Sequence, residues 1–176
     1  MGGMIAQQYA LDYPEGIQSL TLACTYTAPG PFCSRMFEMW ADSASVMGLP
    51  HVMREVLLWC FSVDMFEKRP DEVKEFDESM RYMTMSVPAY LAQLAVIQRF
   101  DTTKELHRLA DIQTLVLAGD QDILIPVILS RRLHEGIPNS RWKTVPGGHG
   151  CMWEYPKEFN SAVIDFMNSI ESKEPQ

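Results

Sequence analysis

Long apolar runs are missing from this chain. No stretch approaches the roughly 18 consecutive apolar residues that cross a bilayer, so a membrane-spanning protein is excluded. No basic segment leads into an apolar core and cleavage site near the start; a secretory leader is therefore not expected, and the cytoplasm is the expected compartment. Positive charge is sparse. The longest basic cluster is the pair Arg131-Arg132 in a chain of net charge −8, which excludes a phosphate backbone, and hence nucleic acid, as a partner. Cysteine is scarce too. Cys24, Cys33, Cys60 and Cys151 show neither C-x-x-C spacing nor a nearby histidine pair, so no zinc motif is read and the four are expected as reduced structural thiols.

What remains is the composition of a folded globular domain, 47% hydrophobic and 22% charged over 176 residues, long enough to bury a sizeable core. MGGMIAQQYALD reads as a helix stopped at Pro14-Glu15-Gly16, and IQSLTLACTY as a strand. QTLVLAG is a continuous apolar run closed by Gly119, the pattern of a strand buried on both faces of a parallel sheet. ILIPVILSRRLHEGIPN reads as a helix, SRWKTVPGG as a further strand, and Phe159, Val163, Phe166, Met167 and Ile170 recur at helical spacing. Strand and helix alternating in this way predict an α/β core with a parallel sheet flanked by helices, built from residues 1–28 and 101–176. Residues 29–100 differ in kind. They hold no convincing strand and carry eight of the twelve methionines, and they predict an all-helical cap. Thr102 with Glu105 offers a capping box for a helix leading back to the sheet. The tail ESKEPQ is expected to fray.

Two loops follow strands of this sheet, AGDQDILIP and VPGGHGCMW, and in parallel sheets ligands sit beyond the strands' carboxyl ends. His149 stands between Gly148 and Gly150, where small neighbours leave an imidazole accessible for proton transfer. Asp122 stands at the mouth of the same sheet, where a carboxylate accepts the imidazole N–H and fixes its tautomer; Asp120 competes for that part. A turn aspartate and a loop histidine without a joint role is the plainer reading of the same residues. His51, His107 and His134 read as structural.

The chain order Asp122 then His149, each after a parallel strand and behind a leading MGGMIAQ helix, resembles the C-terminal part of an α/β-hydrolase, in which a G-x-S-x-G nucleophile elbow precedes the acid and then the histidine. The matching stretches are MGGMIAQ, Gly119 to Pro126 as G-x-x-D-x-x-x-P, and GGHG. The resemblance places Met1 directly after the elbow serine and favours Asp122 over Asp120 as the acid. It implies a serine nucleophile ahead of Met1, His149 as general base and then acid, and an oxyanion-hole amide at Met1, with no metal and no organic cofactor. The MGGMIAQQYALDYPE segment is most similar to 3-oxoadipate enol-lactonases, which implies a small ester or lactone as substrate. Trp40, Trp59 and Trp153, with cap methionines, are the expected apolar substrate wall.

The nucleophile, its strand and the loop carrying the other oxyanion donor do not occur in this sequence. Ser34, Ser43, Ser45 and Ser62 lie in the cap, where nothing predicts an elbow. Cys24 and Cys151 are better placed, but buried thiol is the commoner state of cysteine. The 176-residue chain alone is therefore expected to be inactive. A second reading is a non-catalytic binding or complementing module that pairs with an N-terminal half or with a second copy of itself.

Overall fold

The opening helix, α1, spans Gly2–Asp12 and gives way to a 3-10 turn at Pro14–Gly16, where proline cannot continue the helix. Three strands follow along the chain: β1 at Ser19–Ala23, β2 at Gln113–Gly119 and β3 at Arg141–Val145. They pair in parallel in the order β1-β2-β3, with Leu22 beside Val116 and Leu117 beside Lys143. Parallel neighbours need crossovers. Between β2 and β3 the crossover is α7, Val127–Gly136. Between β1 and β2 it is the cap, with α2 at Gly30–Met47, α3 at Leu49–Cys60, α4 at Val63–Lys68, α5 at Pro70–Met80 and α6 at Val87–Arg99. A short helix α8, Cys151–Glu154, and the closing helix α9, Pro156–Glu171, complete the chain. This computed structural model describes residues 1–171, so the tail beyond Glu171 lies outside the described residues. Among the described residues, no helix is long and apolar enough to cross a membrane.

Side chains alternate across the sheet. Leu20, Leu22 and Val116 point to one face, where they meet Ala10 and Leu11 of α1 and Leu133 of α7. Leu115 and Leu117 point to the other and pack with Val145 and Phe166 of α9. With both faces of β2 covered, its sequence carries no polar alternation, which is why QTLVLAG reads as an unbroken apolar run. The cap has its own core of Phe37, Trp40, Val52 and Leu94, and this core is continuous with Met4 of α1 and with Leu124 and Ile125 after β2. The cap therefore sits over the carboxyl ends of the strands.

Thr102 and Glu105 do not cap a helix. The segment forms only a 3-10 turn at Leu106–Leu109, and Thr102 Oγ1 donates instead to Gln7 Oε1 at 2.8 Å. Gln7 is fully buried in α1 and donates to the carbonyls of Tyr26 (2.9 Å) and Gly3 (3.1 Å). A buried amide left unpaired costs about 1–3 kcal/mol, more than a typical helix cap of ~1 kcal/mol contributes. The long-range bond wins over the local one.

Candidate active site

The loops after β2 and β3 meet because a glycine lets them. A Cβ on Gly119 would lie 2.1 Å from the carbonyl oxygen of Gly148 and 2.5 Å from that of Gly147. Backbone bonds then lace the loops together, from Asp120 N to Val145 O and from Gln121 N to Gly147 O, each 2.9 Å. The Asp120 carboxylate accepts the Gly147 N–H at 3.1 Å, so it holds the loop rather than the imidazole.

Asp122 is the carboxylate that faces the histidine. Its Oδ1 accepts the Ile125 N–H at 2.8 Å, a turn bond that fixes the rotamer, and its Oδ2 lies 3.0 Å from His149 Nδ1. The Asp122 side chain is fully inaccessible, whereas that of His149 keeps 28% of its surface. With Nδ1–H donated to the carboxylate, Nε2 is left as the basic atom. Burial is the strongest single influence on His149 and disfavours its proton; the hydrogen bond it donates to Asp122 and the charge of that carboxylate, aided by Cys24, outweigh burial and raise the proton affinity above the ordinary 6.5.

That direction fixes a pH dependence. A histidine that holds its proton more tightly when folded stabilises the fold fully below its unfolded value, near 6.5, and loses that contribution as pH rises through the folded value. The His149 ring should titrate by NMR above the ordinary histidine value, and Asp122→Asn should lower its midpoint. A wild-type midpoint below the ordinary value would contradict the pairing.

His149 opens onto a cavity of ≈ 120 Å³ that is also lined by Met1, Met4, Thr25, Phe37 and Trp40. Met1, half exposed, thus shares this cavity with the imidazole, and Trp40 forms part of its apolar wall. Trp59 stands edge-on behind Trp40 with ring centroids 6.5 Å apart. Trp153 is on the outer surface, 57% exposed and packed against Phe76, and does not line this cavity. Thr25 is buried there, and its hydroxyl has no hydrogen-bond partner among the described residues. A wider groove of ≈ 540 Å³ runs between α3 and α5, but it is lined by Arg54 and Asp77, which are paired with each other. His149, paired with Asp122, lines the smaller cavity and not this groove.

Glu154 is the site residue that sequence reading misses. It is buried, its Oε1 accepts the Gly148 N–H at 2.7 Å, and its Oε2 accepts the Ser62 N–H at 3.0 Å together with the Ser62 hydroxyl. The His149 loop is thereby bolted to the junction of α3 and α4. Gly150 N adds a bond to Cys60 O at 2.8 Å. Ser62, spent on this carboxylate, is not placed as a nucleophile.

Residues 1–156 match the family model described as the alpha/beta hydrolase fold. The chain belongs to the α/β-hydrolase family. Among α/β-hydrolases it is 29% identical over 174 residues to RutD of Azorhizobium caulinodans, named as a carbamate hydrolase, covering 97% of this chain and 64% of that protein. It is 24% identical over 196 residues to the monoacylglycerol lipase ABHD6 of Mus musculus, covering 98% of this chain and 54% of the lipase. The chain thus spans less than two thirds of either relative. Among solved α/β-hydrolases, MGS-M2 from a Medee basin deep-sea metagenome superposes with a TM-score of 0.86 at 22% identity, covering 95% of this chain and 62% of that one. The enol-lactonase of Burkholderia xenovorans superposes with a TM-score of 0.83 at 20% identity, covering 96% of this chain and 63% of that one. At these identities the superpositions speak for the fold.

Proposed function

We propose that the protein hydrolyses small apolar carboxylic esters or lactones, enol-lactones of the 3-oxoadipate kind among them, through a serine, His149 and Asp122, with the serine supplied by a segment N-terminal to Met1. The observation that carries this reading is the 3.0 Å contact of His149 Nδ1 with Asp122 Oδ2 at the rim of a cavity that Met1 also lines. A residue joined to Met1 adjoins that cavity. In the proposed reaction His149 Nε2 takes the serine proton as Oγ attacks the carbonyl carbon, and Asp122 stabilises the imidazolium. The Met1 N–H, once part of a peptide bond, contributes to binding the oxyanion. His149 then gives the proton to the leaving oxygen, and water repeats the sequence on the acyl-enzyme. The small cavity and the Phe37 and Trp40 wall favour compact apolar acyl groups, while the unpaired Thr25 hydroxyl offers one hydrogen bond to a polar substrate atom. Relatives named as a carbamate hydrolase and a monoacylglycerol lipase support the reaction class.

The 176-residue chain by itself should hydrolyse an activated phenyl ester no faster than its His149→Ala variant, because an imidazole and a carboxylate without nucleophile and oxyanion hole assist water only weakly. Joined to a segment that ends in Gly-x-Ser, it should turn over. Stoichiometric labelling of the 176-residue chain by a serine-directed fluorophosphonate would overturn the assignment.

The second reading, a module that complements another chain, is favoured by surface. On its outer side β1 has no strand partner among the described residues, and Ile5 and Tyr9 of α1, with Tyr13 just past it, are each more than half exposed. An open strand edge beside exposed apolar groups templates association. Light scattering should show mass rising with concentration, and co-expression of an N-terminal half should suppress it. A monodisperse monomer at all concentrations would count against this surface being a contact face.

A further inference from the structure

We propose that Cys24, Asp122 and His149 form a binding site for a thiophilic divalent cation of the Zn²⁺ class. The site rests on the same His149–Asp122 pair as the hydrolytic reading, and its occupation would silence that pair. One thiol sulfur, one carboxylate oxygen and one imidazole nitrogen lie within 4.8 Å of one another, and sulfur, nitrogen and oxygen are the donors that zinc accepts. They come from chain positions 24, 122 and 149, each at the end of a different strand. No sequence spacing announces them.

One separation matches a tetrahedral centre closely. His149 Nδ1 and Asp122 Oδ2 are 3.0 Å apart; ligands bonded to zinc at roughly 2.0–2.1 Å stand about 3.3 Å apart. Cys24 Sγ also lies 3.6 Å from Cys151 Sγ, a thiol contact outside this three-ligand group. A cation thus needs the His149–Asp122 pair to open by only a few tenths of an ångström. Charge is balanced as well, since a thiolate, a carboxylate and a neutral imidazole together offset a divalent ion in a buried place.

Backbone and cavity complete the site. Cys24 stands just past β1 with a left-handed φ of 48° while its N–H still bonds Leu117 O at 2.8 Å. A non-glycine residue in that conformation is uncommon and clusters at functional sites. Cys24 and His149 both line the ≈ 120 Å³ cavity, which gives an ion a route to two of its three ligands. With the ion on His149 and Asp122, neither is free to move a proton.

The test uses the full chain stripped of metal and titrated with Co²⁺, followed by the thiolate-to-cobalt absorption band and then by its displacement with Zn²⁺. One cobalt per chain with a thiolate band is expected. Cys24→Ser should abolish the band, and His149→Ala should weaken binding by more than the roughly 10–100-fold that losing a supporting outer residue costs. Cys33→Ser, whose thiol donates to Leu124 O and is not among the three ligands, should leave both unchanged. Far-ultraviolet circular dichroism checks that each variant is folded. Absence of a band in the folded wild type, or a band that survives Cys24→Ser, overturns the site. Because the titration needs no turnover, its outcome is independent of whether the hydrolytic reading stands.

Discussion

Asp122→Asn is expected to lower kcat for ester hydrolysis by about 10⁴ in the chain joined to its serine-bearing segment, a magnitude taken from the equivalent change in serine proteases. The packing argues for so clean an effect. Asp122 Oδ1 accepts the Ile125 N–H, so an asparagine placed with its carbonyl at that position keeps the turn and the rotamer. Its amide then presents N–H groups where Oδ2 faced His149. Two donors cannot share one hydrogen bond, so the ring adopts the opposite tautomer, with the proton on Nε2. An Nε2 that already carries a proton cannot take one from serine. KM and the thermal midpoint should change little, since shape and burial are preserved. Asp120→Asn is the control: its carboxylate binds a backbone N–H of the loop and not the imidazole. A loss smaller than about tenfold at Asp122, or equal losses at both positions, would remove Asp122 from the mechanism.

The second large effect belongs to a residue with no side chain. Gly119→Ala should destabilise the fold by about 3 kcal/mol, the upper part of the usual overpacking range, and should also abolish hydrolysis in the serine-completed protein. The added carbon would lie 2.1 Å and 2.5 Å from two carbonyl oxygens of the neighbouring loop. These are main-chain atoms, so no flexible side chain can swing aside. The loops must part, and the bonds from Asp120 to Val145 and from Gln121 to Gly147 are strained or lost with them. Asp122 and His149 ride on those loops. Urea denaturation of Gly119→Ala beside Gly16→Ala separates this clash from the general effect of removing a glycine, because a Cβ at Gly16 meets nothing within 4 Å. Equal midpoints for the two variants would show that the loops tolerate separation.

Where a feature depended on burial periodicity or on strand ends, the sequence displayed it. Gln113–Gly119 was readable to the residue because a strand covered on both faces has to be apolar throughout. The alternation of β2, α7 and β3 predicted a parallel sheet flanked by helices, the α/β-hydrolase resemblance rested on MGGMIAQ, Gly119 to Pro126 and GGHG, and glycine-flanked His149 and the loop aspartate stood out because both follow parallel strands. The first strand was read too long. IQSLTLACTY shrinks to Ser19–Ala23, and at its carboxyl end the strand stops where Cys24 turns left-handed after a last bond to Leu117 O; nothing in its composition marks that turn. Glu154 stayed hidden for another reason. Its partners, Ser62 and Gly148, are 92 and six positions away, and a carboxylate between Trp153 and Tyr155 resembles any solvent-facing residue until the fold brings its donors to it. Trp153 reads as a pocket aromatic by type alone, and only the direction of α8 turns it outward against Phe76.

Glu154 also governs how this molecule comes apart. By holding the Ser62 and Gly148 amides on a single buried carboxylate, and with Arg69 of the cap donating to the Glu154 carbonyl at 2.8 Å, it gives two chain segments one shared fate in hydrogen exchange. Neither amide can reach solvent until the carboxylate releases it. The cap's α3–α4 end and the histidine loop should therefore exchange as one cooperative unit.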